Sequence, residues 1–138
     1  MFKMLNFGYF SAKTYKDGLD DLATPGIKFC SDLQDKYRTG KKVTHIMYEA
    51  GVLEGMIQVE ALRLAMQKVP FEKLTPGDVL KHGFFRIKNL PTGDISSTPL
   101  TYGKGDIEGV DQIRIDQVQK GKSVKVGIFP VHHIYTKK

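Results

Sequence analysis

The sequence predicts a mixed α/β chain the size of one domain, running strand, three helices, then a C-terminal β-hairpin. Three observations carry this. Thr-Pro-Gly occurs twice, at Thr24-Pro25-Gly26 and Thr75-Pro76-Gly77. Each places a hydroxyl at a helix N-cap and proline at the first helical position, where its missing N–H does no harm. Residues 45–68 carry apolar side chains at helical spacing. After Pro99 the pattern changes to alternation, over Val110 to Val118 and again over Ser123 to Phe129, on either side of Gln119-Lys120-Gly121-Lys122.

Composition sets the outer bounds. A chain of 138 residues, 41 % hydrophobic and 26 % charged, is large enough for one real core and excludes a disordered, collagen-like or coiled-coil protein. No apolar run approaches the ~18 residues that cross a bilayer. The opening Met1-Phe2-Lys3-Met4-Leu5-Asn6 lacks the basic start, apolar middle and cleavage site of a secretory signal, so none is expected in this chain. The single cysteine, Cys30, excludes an intrachain disulfide and leaves the compartment open. The net charge of +6 comes from scattered lysines, with doublets only at Lys41-Lys42 and Lys137-Lys138, which reads as a solvated basic surface rather than a nucleic-acid site.

The elements follow in order. Residues 4–10, rich in aromatics, read as a short strand, and residues 11–23 as a polar loop. The first helix is expected over 25–38, with Ile27, Cys30, Leu33 and Tyr37 on its inner side and Gly40 as its stop. Cys30 then reads as core rather than as a reactive thiol. The second helix has two apolar faces: Tyr48, Val52, Val59, Leu62 and Met66 on one, with Gly51 and Gly55 allowing close approach, and Ala50, Leu53, Ile57, Ala61 and Leu64 nearly opposite. Glu49, Glu60, Arg63 and Gln67 form a narrow polar stripe between them. Such a helix wants cover on two sides, as in a layer inside something larger. A third helix is expected over 76–82, offering Val79 and Leu80, followed by a loop at Asn89 to Asp94.

Several chemistries lack their residues. No Gly-x-Ser-x-Gly elbow occurs, and Asp35, Thr98 and Asp116 stand where a P-loop would need its first glycine. Gly103-Lys104-Gly105-Asp106-Ile107-Glu108-Gly109 has one residue too many for a dinucleotide loop and leads into a strand, so it reads as a turn. His45 and Glu49, four apart on a helix, supply two metal ligands at most, and His132-His133 would point to opposite faces of a strand. No metal, cofactor or catalytic residue is expected, and no enzyme site is defined.

What the residues do carry is a pattern. Pro25-Gly26-Ile27-Lys28 to Asp35-Lys36-Tyr37-Arg38-Thr39-Gly40 is followed by Tyr48-Glu49-Ala50-Gly51 and by Val59-Glu60-Ala61-Leu62-Arg63-Leu64-Ala65. Later come Gly105-Asp106-Ile107-Glu108-Gly109 and Ile113 to Lys122, ending Gln119-Lys120-Gly121-Lys122. In order and spacing, over residues 8–126, this resembles the C-terminal part of ABC-transporter solute-binding proteins of the leucine/isoleucine/valine type. The resemblance implies a partial type I periplasmic-binding-protein fold, the last third of a protein whose two α/β lobes close on a ligand. Residues 1–10 would be a second-lobe strand and crossover, 11–97 the helical portion of the first lobe, and 98–138 a crossover and second-lobe hairpin.

The same resemblance implies a non-enzymatic receptor, periplasmic or lipid-anchored, that binds a small organic ligand of the amino acid, amide or aromatic acid class for an ABC permease. Thr44 and His45, just before the second helix, would line the cleft, with Tyr9 and Phe10 near the crossover as further ligand-binding candidates. His45 reads equally as a solvent-facing helix start, and Tyr9 and Phe10 as core. The implied partners are the ligand, the permease and the remaining N-terminal part of the same protein, and the second helix face could also self-associate. Two other readings stay open: a ligand-sensing domain of a regulatory system, and a stand-alone small α+β interaction domain.

Overall fold

A computed structural model describes residues 5–8, 22–38, 40, 46–96, 98–107, 109–110, 112–119 and 122–130. Strand β1 (Leu5–Gly8) precedes helices α1 (Pro25–Tyr37) and α2 (Ile46–Met66), and a short helix α3 (Pro76–Asp78) follows. Strands β2 (Gln112–Gln119) and β3 (Lys122–Pro130) form the hairpin. All three strands make one antiparallel sheet in the order β1-β2-β3, with Leu5 opposite Gln117 and Gly8 opposite Arg114. The chain therefore leaves a sheet, forms a helical block and returns to the same sheet.

The turn of the hairpin is tighter than the sequence pattern suggests, with both strands running one residue further into it. Gln119 pairs with Lys122, leaving two residues between the paired ends instead of four-residue punctuation. A two-residue connection matches the right-handed twist of paired strands. Ile115 faces Gly127 while Asp116 faces Lys125, so Val126 is an extra residue at a bulge. Among the hairpin residues whose burial is described, none is buried.

The core lies in the helical block. Ile27 and Cys30 of α1 meet Leu53 and Ala61 of α2, and Ile87, Ile95, Leu100, Tyr102 and Val110 complete the cluster. More than half of it thus comes from the segment after α3, which has little regular structure but is tied down by backbone bonds. Leu90 and Leu100 exchange N–H···O bonds of 2.8 and 3.0 Å, and the Tyr102 N–H donates to Ile87 O at 3.0 Å. Gly103 and Asp106 likewise exchange bonds of 2.9 and 3.0 Å, and with Gly105 at φ +85° they close the turn expected there.

The two Thr-Pro-Gly starts differ. Thr75 caps as expected: its Oγ1 accepts from the Asp78 N–H at 3.2 Å, and the Thr75 N–H donates to Asp78 Oδ2 at 3.1 Å, a reciprocal capping box. Thr24 makes no side-chain cap. There the early N–H of Gly26 donates instead to Gly93 O at 2.7 Å, so a distant loop takes over part of the cap's task. A Cβ on Gly26 would stand 2.7 Å from that oxygen and overlap Ile95, and one on Gly93 would stand 2.7 Å from the Gly26 nitrogen. Gly93 at φ +63° and Asp94 at φ +67° turn the loop back, with the Ile95 N–H reaching Thr92 O at 3.4 Å.

Three expectations about the helices change. On α1 the buried line is Gly26, Ile27, Cys30, Ser31 and Gln34, while Tyr37 is exposed. The helical period puts residues 27, 30, 31 and 34 on one face, whatever their polarity. On α2, a Cβ at Gly51 or Gly55 would meet nothing within 4 Å, so neither glycine serves a close approach among the described residues. The third helix is not a plain α-helix over 76–82. After Asp78 it widens into a π turn (Val79–Gly83) and then tightens into a 3-10 turn (Phe84–Arg86). At the end of the π turn Gly83 presses on the Ala61 backbone so closely that any Cβ would overlap it.

These glycines separate two kinds of effect. Gly93→Ala is expected to lower stability by about 2 kcal/mol or more in urea unfolding, since it adds both a left-handed penalty and an overlap. Gly51→Ala, in an exposed helical position, is expected to raise stability by about 0.5–1 kcal/mol. Equal effects at both positions would mean that the Gly26–Gly93 contact does not hold α1 in place.

Candidate functional site

The four ligand-binding candidates, Thr44, His45, Tyr9 and Phe10, lie outside the described residues. So does the His132-His133 pair. Among the described residues, no group of three or more His, Cys, Asp or Glu side chains is arranged to hold a metal ion, and no helix is long and apolar enough to cross a membrane. Two features remain, one buried and one open.

The buried feature joins α1 to α2. Glu49, expected in the polar stripe of α2, is 1 % exposed, and neither carboxylate oxygen has a hydrogen-bond partner. Burial raises its pKa above the ordinary 4.5. Cys30 on α1 is fully buried, and desolvation, reinforced by the charge of Glu49, pushes its thiol up to about 11. A thiol so poised is a small hydrophobe and not a nucleophile at neutral pH. Tyr48, half-buried beside it, is raised mainly by the same desolvation. The sequence signal for Glu49 was its angle: at 100° per residue it stands only 40° from Leu53, at the edge of the inner face.

The open feature is a groove of about 400 Å³ between α2 and the π turn, lined by Ile57, Gln58, Ala61, Leu62, Pro76, Val79, Leu80 and Phe84. Two of its lining residues are held by further contacts: Gly83 presses on the Ala61 backbone, and the Phe84 ring centroid lies 4.3 Å from that of Tyr102. The two apolar faces of α2 are covered unequally. Leu53, Ala61 and Ala65 are buried and Tyr48 and Val52 pack on the core, whereas Val59 is 66 %, Leu62 39 % and Met66 49 % exposed. The second face is thus covered near the start of α2 and bare along its last two turns.

No family model matches the chain, and no curated protein does. A solved structure does: the crystal structure of a branched chain amino acid ABC transporter from Thermus thermophilus with bound valine. The likeness is one of fold. It has a TM-score of 0.63 at 22 % identity and covers 96 % of this chain but 34 % of that one, so this chain spans about a third of the length of the protein it resembles. A mixed helix-and-strand fold shared with part of a transporter protein agrees with the fold class expected from the sequence.

Glu49 and Cys30 at the α1–α2 seam give measurable consequences. A carboxyl whose pKa is raised by folding leaves stability undiminished below its unfolded pKa, near 4.5, and lowers it as pH rises through the folded pKa. Glu49→Gln is therefore expected to stabilise the protein at pH 7 by about 1–3 kcal/mol, with the gain shrinking toward pH 4 in urea titrations. A pH-independent difference would contradict the buried carboxylate. Iodoacetamide at pH 8 is expected to modify Cys30 at least ~100-fold more slowly in the native protein than in urea.

Proposed function

We propose that this chain is the C-terminal portion of an extracytoplasmic receptor that binds a small organic solute for uptake through an ABC permease. The observation that carries the reading is the fold likeness over 96 % of the chain to the valine-bound transporter protein. The motif order from Pro25 to Lys122 supports it independently, because it depends on residue identities and not on backbone shape. So does the connectivity, in which β1 and the hairpin share one sheet while the helical block is inserted between them. A chain that crosses out of a sheet and back is what two lobes joined by crossovers require.

In this reading the protein is not an enzyme. Closure of two lobes excludes water from a solute held between them and presents a closed shape to the permease. Thr44 and His45, which directly precede α2 in the chain, would offer a hydroxyl and an imidazole to a polar group of the solute. Tyr9 and Phe10, which follow β1, would offer aromatic surface to its apolar part. The Thermus thermophilus structure holds valine, which makes an α-amino acid the first solute to test, followed by amides and aromatic acids. The parent protein would be periplasmic or lipid-anchored.

Reading the genomic frame upstream of Met1 is the first test. An open frame of about two hundred further codons that begins with a signal peptide is expected. The longer product is expected to bind a solute of these classes by calorimetry, with His45→Ala weakening affinity about tenfold or more, the loss of one good polar contact. Failure of every amino acid, amide and aromatic acid to bind that product would overturn the reading.

A further inference from the structure

We infer that the Glu49 carboxyl is a proton-operated latch on α1: while it keeps its proton α1 stays packed on α2, and when it ionises α1 lifts from α2 about the Gly26–Gly93 contact, with α2 and the segment after α3 still folded. The device goes beyond the receptor reading and stands whether or not that reading holds. Glu49 is 1 % exposed, and neither carboxylate oxygen has a hydrogen-bond partner. A protonated carboxyl tolerates such a place at the loss of a hydrogen bond. An ionised one is an uncompensated buried charge, relieved only by pairing it or by letting water in.

Among the described residues no cation is in place to pair it. From α1 the titratable group that faces Glu49 is Cys30, and a thiol supplies no positive charge. On α2 itself the neighbour is Tyr48, whose phenol supplies none either. Asp35, Lys36 and Arg38 of α1 are exposed, as are Arg86, Lys88 and Asp94 of the segment after α3, and Lys88 already donates to Tyr102 O at 2.7 Å. Among the described residues, burial alone acts on the Glu49 carboxyl.

Water is the remaining route, and α1 is the element that gives way. Of its buried line, Gly26, Ile27, Cys30, Ser31 and Gln34, only Ile27 and Cys30 carry apolar side chains, both in its first half, while Tyr37 near its end is exposed. Helix α2 is fixed more firmly, by the buried Leu53, Ala61 and Ala65 and by the close contact of Gly83 with Ala61. The bond from the Gly26 N–H to Gly93 O holds the start of α1 and makes that end the pivot. Once freed, Glu49 returns toward its ordinary 4.5, so the closed seam is the state that binds the extra proton. Opening therefore becomes easier by up to roughly tenfold per pH unit as pH rises above that value, and levels off above the raised value of the closed seam.

Cys30, fully buried, reports the opening. Labelling by N-ethylmaleimide is to be followed on the tryptic peptide 29–36 of the full polypeptide that the genomic frame encodes, natively and in urea at each pH, so that the urea rate corrects for thiol ionisation. Protection, the ratio of the two rates, is expected to fall ~10-fold or more between pH 5 and pH 8, and to change by less than about twofold in Glu49→Gln. Removing the Glu49 charge by itself makes the thiol easier to ionise, so slower labelling of the variant at pH 8 runs against that effect and reports closure. Amide hydrogen exchange, which needs no substitution, is expected to show residues 28–37 losing protection over the same pH range while residues 57–65 keep theirs. Flat protection of Cys30 in the natural sequence, an equal pH dependence in Glu49→Gln, or a parallel loss of protection in α1 and α2, which would be unfolding of the whole block, overturns the inference.

Discussion

The hydrogen bond from the Gly26 N–H to the carbonyl of Gly93 joins two segments some sixty-seven positions apart in the chain, at a point where neither residue has room for a side chain. Everything in the helical block depends on that contact. It sets the N-terminus of α1 on the loop that carries Ile95, which brings Ile27 and Ile95, both fully buried, into one cluster. Burial of side chains that size contributes roughly 1.5–3 kcal/mol each. With α1 so placed, Cys30 points at α2, and the Glu49 carboxylate is enclosed between two helices instead of facing solvent.

Helix α2 is the wall against which the rest is assembled. Its inner face is held by a second backbone contact, Ala61 against Gly83, and the π turn that precedes Gly83 provides the extra backbone that this approach needs. The two glycine contacts grip α1 and α2 from the same stretch of chain, residues 83–93, so the segment with least regular structure is the one that organises the helices. The outer face of α2 is only partly closed. Cover over its first half gives way to exposure over its second, and the likeness of fold takes in 34 % of the similar protein.

Much of this architecture is legible in the residues. Helix periodicity places α2 within two residues of its observed ends, because twenty-odd residues of regular spacing leave little freedom. Alternation marks both hairpin strands, and glycines mark the turn at 103–106. Less was readable where a polar residue lies on an inner face. Gln34, Ser31 and Glu49 are buried for reasons of angle, and a reading weighted by apolarity assigns them to the outside. The groove was half readable: Leu62 stood out on a spare apolar face, but its opposite wall comes from a π turn, which has no sequence period of its own. The candidate ligand residues came from resemblance alone, since a hydroxyl and an imidazole before a helix have no spacing that distinguishes a cleft from a surface.

By itself the sequence determined the kinds of element and their order, because propensity, capping residues and apolar period act over a few neighbouring positions. It also determined that α2 would present two apolar sides. Tertiary structure decided which of those sides is covered, which Thr-Pro-Gly is capped by its own threonine and which by a distant carbonyl, and that a carboxylate would be enclosed beside a thiol. Those outcomes depend on close approach between segments far apart in the chain, and no local pattern encodes the distance between Gly26 and Gly93 or between Ala61 and Gly83.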